Sequence, residues 1–264
     1  MTHPHVPFIW YELMTDNADA ASAFYAAVIG WTIEPPTSGS PLDYRMIKRS
    51  DGGRQGGVLQ LSPAMQAEGA HPAWVPYLHA ADIGAVTTAI LGDGGRQIAP
   101  RMDIPEGSFA MVTDPLGTPL YLMQPNPPAD RPDAGSDVFA AAAPQHVRWN
   151  ELASPDLAAA KAFYARHFGV TFTRAMPMGE LGDYCFMDYG EVGLGAIMQR
   201  HDPAVPPLWT MYFGVPEIDA ACAAVAANGG TMMREPHPIP GGEFSAVAID
   251  PRGAVFGIVG PRGA

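Results

Sequence analysis

The chain has 264 residues, is 47% hydrophobic and carries a formal net charge of −12, with 27 acidic against 15 basic residues. That length can bury two cores of ordinary domain size, and no window is dense enough in Lys or Arg to follow a row of phosphates, which argues against nucleic acid or an anionic membrane as partner. The opening residues lack a basic segment followed by an apolar one, and no apolar run approaches the ~18 residues of a membrane span, so a cytoplasmic location is expected.

A strand is predicted from Phe8 to Met14, followed by a helix starting at Asp16 or Asn17. Ala21, Phe24, Tyr25, Val28 and Ile29 fall on one face of that helix, and Gly30 ends it as a left-handed residue would. Short strands follow at Trp31 to Glu34, Tyr44 to Lys48 and Gly57 to Leu61. The pattern restarts with a strand at Trp74 to His79, a helix at Asp82 to Asp93 closed by Gly94-Gly95, and strands near Phe109 to Thr113 and Leu120 to Gln124. Residues 125–145 open with Pro125-Asn126-Pro127-Pro128 and continue rich in Gly, Ser and Ala, which reads as a linker.

Beyond the linker the series returns. Trp10-Tyr11-Glu12-Leu13 reappears as Trp149-Asn150-Glu151-Leu152, and Phe24-Tyr25 with Gly30 as Phe163-Tyr164 with Gly169, at an offset of 139 residues. Tyr44 answers to Tyr184, Trp74 and Tyr77 to Trp209 and Tyr212, and Asp114-Pro115 with Gly117 to Asp250-Pro251 with Gly253. The second copy's first helix is expected to begin with Ser154 as N-cap and Pro155 at its first position. The chain is therefore expected to be a tandem duplication with domains at 1–124 and 146–264, each built from two βαβββ modules in an α+β arrangement. Cys185 and Cys222 have no counterparts in the first copy and are expected as reduced packing residues.

The Phe-Tyr then Gly of the first helix, the Gly-Gly after the second helix and Asp-Pro-X-Gly before the closing strand together resemble the glyoxalase, bleomycin-resistance and extradiol-dioxygenase superfamily, the vicinal oxygen chelate fold. The resemblance covers nearly the whole chain outside the linker and is closest to the two-domain, glyoxalase-like branch. It implies that two βαβββ units form an open half-barrel around a small-molecule pocket, with a divalent metal held by His, Glu or Gln from opening and closing strands. Carried onto this sequence, those positions are Trp10, Gln60, Val75 or Pro76, and Tyr121 in the first copy, and Trp149, Met198, Thr210 or Met211, and Gly257 in the second. Only Gln60 among them is a possible ligand, so no metal site is expected, with a divalent metal at relocated ligands left open.

Strand alternation places Glu12 with Trp10 and Glu151 with Trp149. If those tryptophans face a pocket, each carboxylate is a candidate general base or hydrogen-bond partner; otherwise it fixes the sheet. Trp10, Tyr44, Trp74, Tyr77, Tyr121, Trp149, Tyr184, Trp209 and Tyr212 are candidate lining residues, with core packing the alternative for each. The expected function is binding of a small molecule, with possible chemistry by Glu12 or Glu151 on a carbonyl compound. Its alternatives are a metal-dependent lyase, isomerase or dioxygenase, and a non-enzymatic drug- or metabolite-sequestering protein. The duplication supplies internally the pair that single-domain relatives make by dimerising, so a monomer or a homodimer is expected.

Overall fold

The computed structural model describes residues 6–36, 42–127, 129–130 and 135–263; the first five residues and positions 128 and 131–134 of the linker lie outside them. The first half contains β1 (Phe8–Thr15), α1 (Ala18–Val28), β2 (Thr32–Ile33), β3 (Tyr44–Lys48), β4 (Arg54–Gln60), α2 (Pro63–Ala67), β5 (Ala73–His79), α3 (Ile83–Gly92), β6 (Arg96–Ile104), β7 (Gly107–Thr113) and β8 (Pro119–Pro125). The second contains β9 (Val147–Ser154), α4 (Leu157–Phe168), β10 (Ala175–Pro177), β11 (Asp183–Tyr189), β12 (Val192–Gln199), β13 (Trp209–Gly214), α5 (Ile218–Ala227), β14 (Thr231–Pro238), β15 (Phe244–Ile249) and β16 (Val255–Gly260). The strands form two eight-stranded sheets, ordered β2-β3-β4-β1-β5-β8-β7-β6 and β10-β11-β12-β9-β13-β16-β15-β14. Opening and closing strands of a module run parallel, β1 with β4, β5 with β8, β9 with β12 and β13 with β16, and the other module pairings are antiparallel.

Compactness divides the chain differently from its sequence repeat. One compact unit comprises residues 1–10, 75–137 and 150–209, and the other 11–74, 138–149 and 210–264. Each unit thus combines a module from each half. In the second unit, α1 packs against α5, and Tyr25, Trp31, Trp74, Phe213 and Phe256 form an aromatic core with ring centroids 4.8–6.4 Å apart. In the first unit, Tyr164 packs edge-on against Trp209 at 5.2 Å, and Trp209 against Phe8 at 5.4 Å. Burying several aromatic rings in offset and edge-on contacts supplies a large share of the apolar stabilisation of each core.

Gly30 and Gly169 take left-handed conformations, φ +82° and +68°, as their positions after the first helix of each half require. The second copy's helix differs from the sequence expectation at its start. Asp156, not Ser154, is its N-cap, with the carboxylate accepting from the Ala159 amide at 2.9 Å, while Ser154 closes a local turn onto Asp156. In the first half, two elements have no expected bounds: the short helix α2, and β6, an edge strand exposed along nearly its whole length and without apolar alternation. Within the expected linker, the stretch leading into β9 is pinned to the second unit. Gln145, at φ +62°, donates from Nε2 to the Ile29 and Gly30 carbonyls and accepts from the Ser50 amide, while its own carbonyl accepts from Trp31 Nε1.

Candidate functional site

Three glutamines define which face of each sheet the helices cover. Gln60 Oε1 accepts from the Ala18 amide at 2.8 Å, Gln124 Oε1 from Ile83 at 3.1 Å, and Gln199 Oε1 from Leu157 at 3.3 Å. Each sits at or near the end of a closing strand and satisfies an orphan donor at the start of the helix in the same module. The residues of opposite parity on those strands therefore point away from the helices.

In the first module of the second half, that outward parity carries Trp149, Glu151, Ala196 and Met198, with Glu151 paired to Ala196 across β9 and β12. Tyr184 on β11 donates its hydroxyl to Glu151 Oε2 at 2.7 Å. Both side chains are half-buried, and Phe186 packs edge-on beside Tyr184 at 5.7 Å. In the first half the matching parity carries Trp10, Glu12, Gly57 and Leu59, with Glu12 paired to Gly57 and Tyr44 to Leu59. The Tyr44 hydroxyl occupies the space a methyl on Gly57 would take, directly beside the residue paired with Glu12. Glu12 is 2% exposed, a burial that a carboxylate tolerates only in a polar setting.

The second modules contribute aromatic faces. Tyr77 and Tyr121 are register partners on β5 and β8 and stack at 4.2 Å with planes 16° apart, with Phe109 6.1 Å from Tyr121. In the other half Gly257 replaces Tyr121, and the Tyr212 ring lies over it where any side chain would stand. The two copies are thus unlike at this place.

Trp74 and Trp209, expected as lining residues, belong instead to the helix-covered cores, each 2% exposed. Trp74 donates from Nε1 to the Tyr25 hydroxyl at 2.8 Å, and that hydroxyl donates to Asp250 Oδ2 at 3.2 Å. The Tyr164 hydroxyl likewise donates to Asp114 Oδ2 at 3.2 Å. Burial, and then the neighbouring carboxylate, pushes both tyrosines well above the usual phenol range, and burial raises Asp114 and Asp250. In the sequence these tyrosines and aspartates belong to the repeated motifs, but their direct pairing has no local signal, because each pair joins residues from opposite halves.

The register also corrects the carry-over of metal-ligand positions. Gln60 lies on the helix-covered parity with its amide engaged, and its counterpart is Gln199 rather than Met198. A one-residue slip exchanges strand faces. Module by module, the outward parity then offers Glu12 and Leu59, Tyr77 and Tyr121, Glu151 and Met198, and Tyr212 and Gly257. At these carried-over positions a single carboxylate stands beside apolar and aromatic side chains, which does not fit a catalytic divalent centre, and among the described residues no three His, Cys, Asp or Glu cluster for one.

A family model described as "Glyoxalase/Bleomycin resistance protein/Dioxygenase superfamily" matches residues 144–258. The chain is 32% identical over 256 residues to "Putative glyoxylase CFP32" of Mycobacterium tuberculosis (strain CDC 1551 / Oshkosh), covering 96% of this chain and 94% of that protein. It is 33% identical over 131 residues to "Anthracycline biosynthesis protein DnrV" of Streptomyces peucetius, covering 44% of this chain and 47% of that one. Among solved structures, the Mn(II)-bound glyoxalase from Novosphingobium aromaticivorans superposes with a TM-score of 0.64 at 15% identity, over 97% of this chain and 82% of that one. The 2,3-dioxygenase LapB from Pseudomonas sp. KL28 gives a TM-score of 0.63 at 13% identity, over 98% and 94%. At such identities these structures speak for the fold alone. With near full-length similarity to a glyoxylase-type relative and the repeated βαβββ modules, the chain belongs to the glyoxalase/bleomycin resistance protein/dioxygenase superfamily.

Proposed function

We propose that this protein binds a small organic molecule bearing a carbonyl or an aromatic ring, and that Glu151 with Tyr184, and Glu12 beside Tyr44, take the place of the family's metal as its polar anchor. The Tyr184 to Glu151 hydrogen bond carries the reading. A carboxylate has acceptor capacity beyond a single bond, so Glu151 can hold a ligand hydroxyl or draw a proton from a carbon next to a carbonyl. The Tyr184 hydroxyl then has a choice of acceptors, the carboxylate or a ligand oxygen that gains negative charge. That is the arrangement an enolising or hydroxyl-bearing ligand requires, with no Lewis acid in it. Half-buried Trp149 is a spectroscopic handle.

Titrating the full chain with an aromatic α-hydroxy ketone such as benzoin, followed by tryptophan fluorescence, tests this. Glu151→Gln and Tyr184→Phe are each expected to weaken binding about ten-fold, or ~1.4 kcal/mol, while shifting the melting temperature little. Equal losses of stability with unaltered binding would assign the pair to holding the sheet.

A further inference from the structure

The second modules of the two halves share one backbone design and differ in the side chains placed on it. β6 and β14 each carry two register irregularities, so that residues three apart in sequence come to share a face. On β14 these are Arg234, paired with Val247, and His237, paired with Ser245; Val247 is in turn paired with Gly257, and Gly257 with Tyr212. Directly paired residues share a side of the sheet, and positions 245 and 247 are of one parity on a strand with regular register. Arg234, His237, Ser245 and Tyr212 therefore stand on one face, away from the helix-covered core that holds Phe213 and Phe256. The same places on β5 to β8 are held by Ala99, Met102, Phe109 and Tyr77, with Tyr121 where Gly257 stands. An apolar and aromatic surface in one half is replaced by a cationic and hydroxyl-bearing surface in the other.

The hydrogen bonding on this face has a direction. His237 Nε2 lies 3.2 Å from Ser245 Oγ, and His237 Nδ1 is sealed from solvent with no partner among the described residues. A buried N–H without an acceptor is costlier and rarer than an acceptor lone pair left unused, so the favoured tautomer carries its proton on Nε2 and donates it to Ser245. The Ser245 hydroxyl is then left to donate elsewhere. Arg234 is exposed and forms no ion pair among the described residues. Its neighbour Glu235 acts on the helix side, where burial and then the Glu235 charge push the Cys222 thiol of α5 up to about 11. The repulsion from the net charge of −12 is screened beyond about 10 Å at ordinary salt, whereas a guanidinium fork and a hydroxyl act at contact.

We propose that the face of β13 to β16 bearing Arg234, His237, Ser245 and Tyr212 is an oxyanion subsite for a carboxylate-bearing ligand, present in the second half alone. It does not depend on the Glu151 and Tyr184 reading, since none of these residues takes part in it. Benzoate and inorganic phosphate are the probes, titrated by calorimetry against the full chain, with the His237 imidazole followed by NMR as each is added. Benzoate is expected to bind, to shift the imidazole resonances of His237, and to bind about ten-fold more weakly to Arg234→Gln and to His237→Gln, while Met102→Gln in the first half has no effect. Both β14 variants are expected to fold, Arg234 being exposed and the glutamine at 237 retaining a donor for Ser245. Benzoate binding that is absent, or the same in all variants, overturns the proposal. Binding of phosphate with no binding of benzoate overturns the carboxylate assignment.

Discussion

Tyr25 and Asp250 lie 225 residues apart in the chain and share a buried hydrogen bond of 3.2 Å. Their counterparts, Tyr164 and Asp114, form the matching bond of 3.2 Å in the other unit. The helix tyrosine of each half is thus satisfied by the Asp-Pro-X-Gly aspartate of the opposite half. Each aspartate also ties its own turn: Asp250 Oδ1 accepts from the Arg252 and Ala254 amides, and Asp114 Oδ1 from Leu116 and Thr118. The two signature motifs recur in both halves because they are two ends of one interaction.

Tyr25→Phe is expected to strand two buried groups, Trp74 Nε1 and Asp250 Oδ2, and to cost about 2–4 kcal/mol in urea-induced unfolding. Asp250→Ala is expected to be worse, because the turn amides of Arg252 and Ala254 lose their acceptor as well.

The same pairs set the pH dependence of stability. Tyr25 and Tyr164 ionise well above the ordinary phenol value when folded, so above about pH 10 the unfolded chain loses protons that the folded chain keeps, and stability falls as pH rises. Two such groups give a slope of roughly 2.7 kcal/mol per pH unit there. In absorbance titration of the folded protein these two tyrosines are expected to stay silent until it unfolds. Asp114 and Asp250 are raised too. Their contribution is complete below the unfolded carboxyl value near ~3.9 and is lost as pH rises through the folded value. Denaturation of Asp250→Asn across that window is expected to show a smaller fall with pH than the parent.

Gln60→Ala is expected to cost about 1 kcal/mol through loss of an acceptor at the start of α1, with no change in ligand affinity. Gln199→Ala should behave alike at α4. A drop in affinity without a change in melting temperature would place Gln60 on the ligand face.

Much of the fold was legible because its signals are local. Tyr44 to Lys48 emerged with the bounds its β-branched and aromatic pattern predicts, and Gly30 and Gly169 end their helices as left-handed residues. β6 escaped because an exposed edge strand has no buried face to impose alternation. The Ser154 cap reading failed for a local reason, since Asp156 is a competing cap two residues on. The stretch around Gln145 reads as linker by composition, yet one amide side chain fastens it to three backbone groups. Site residues were harder to recover. Glu151 with Tyr184 follows from alternation plus a middle-strand tyrosine, whereas the Gln60 face depended on a single-residue register, and the grouping of Arg234 with His237 depends on two strand irregularities that no period reveals.

The central claim, that a Glu and Tyr pair stands where relatives hold a metal, is tested most directly by elemental analysis. Untagged protein would be incubated with Mn(II), Fe(II), Ni(II) and Zn(II) and freed of excess by gel filtration, with benzoin affinity measured before and after chelation. Far less than one metal ion per chain is expected, with an affinity that chelation does not change. Near-stoichiometric metal that disappears in Glu12→Gln or Glu151→Gln, with ligand binding lost alongside it, would contradict the account.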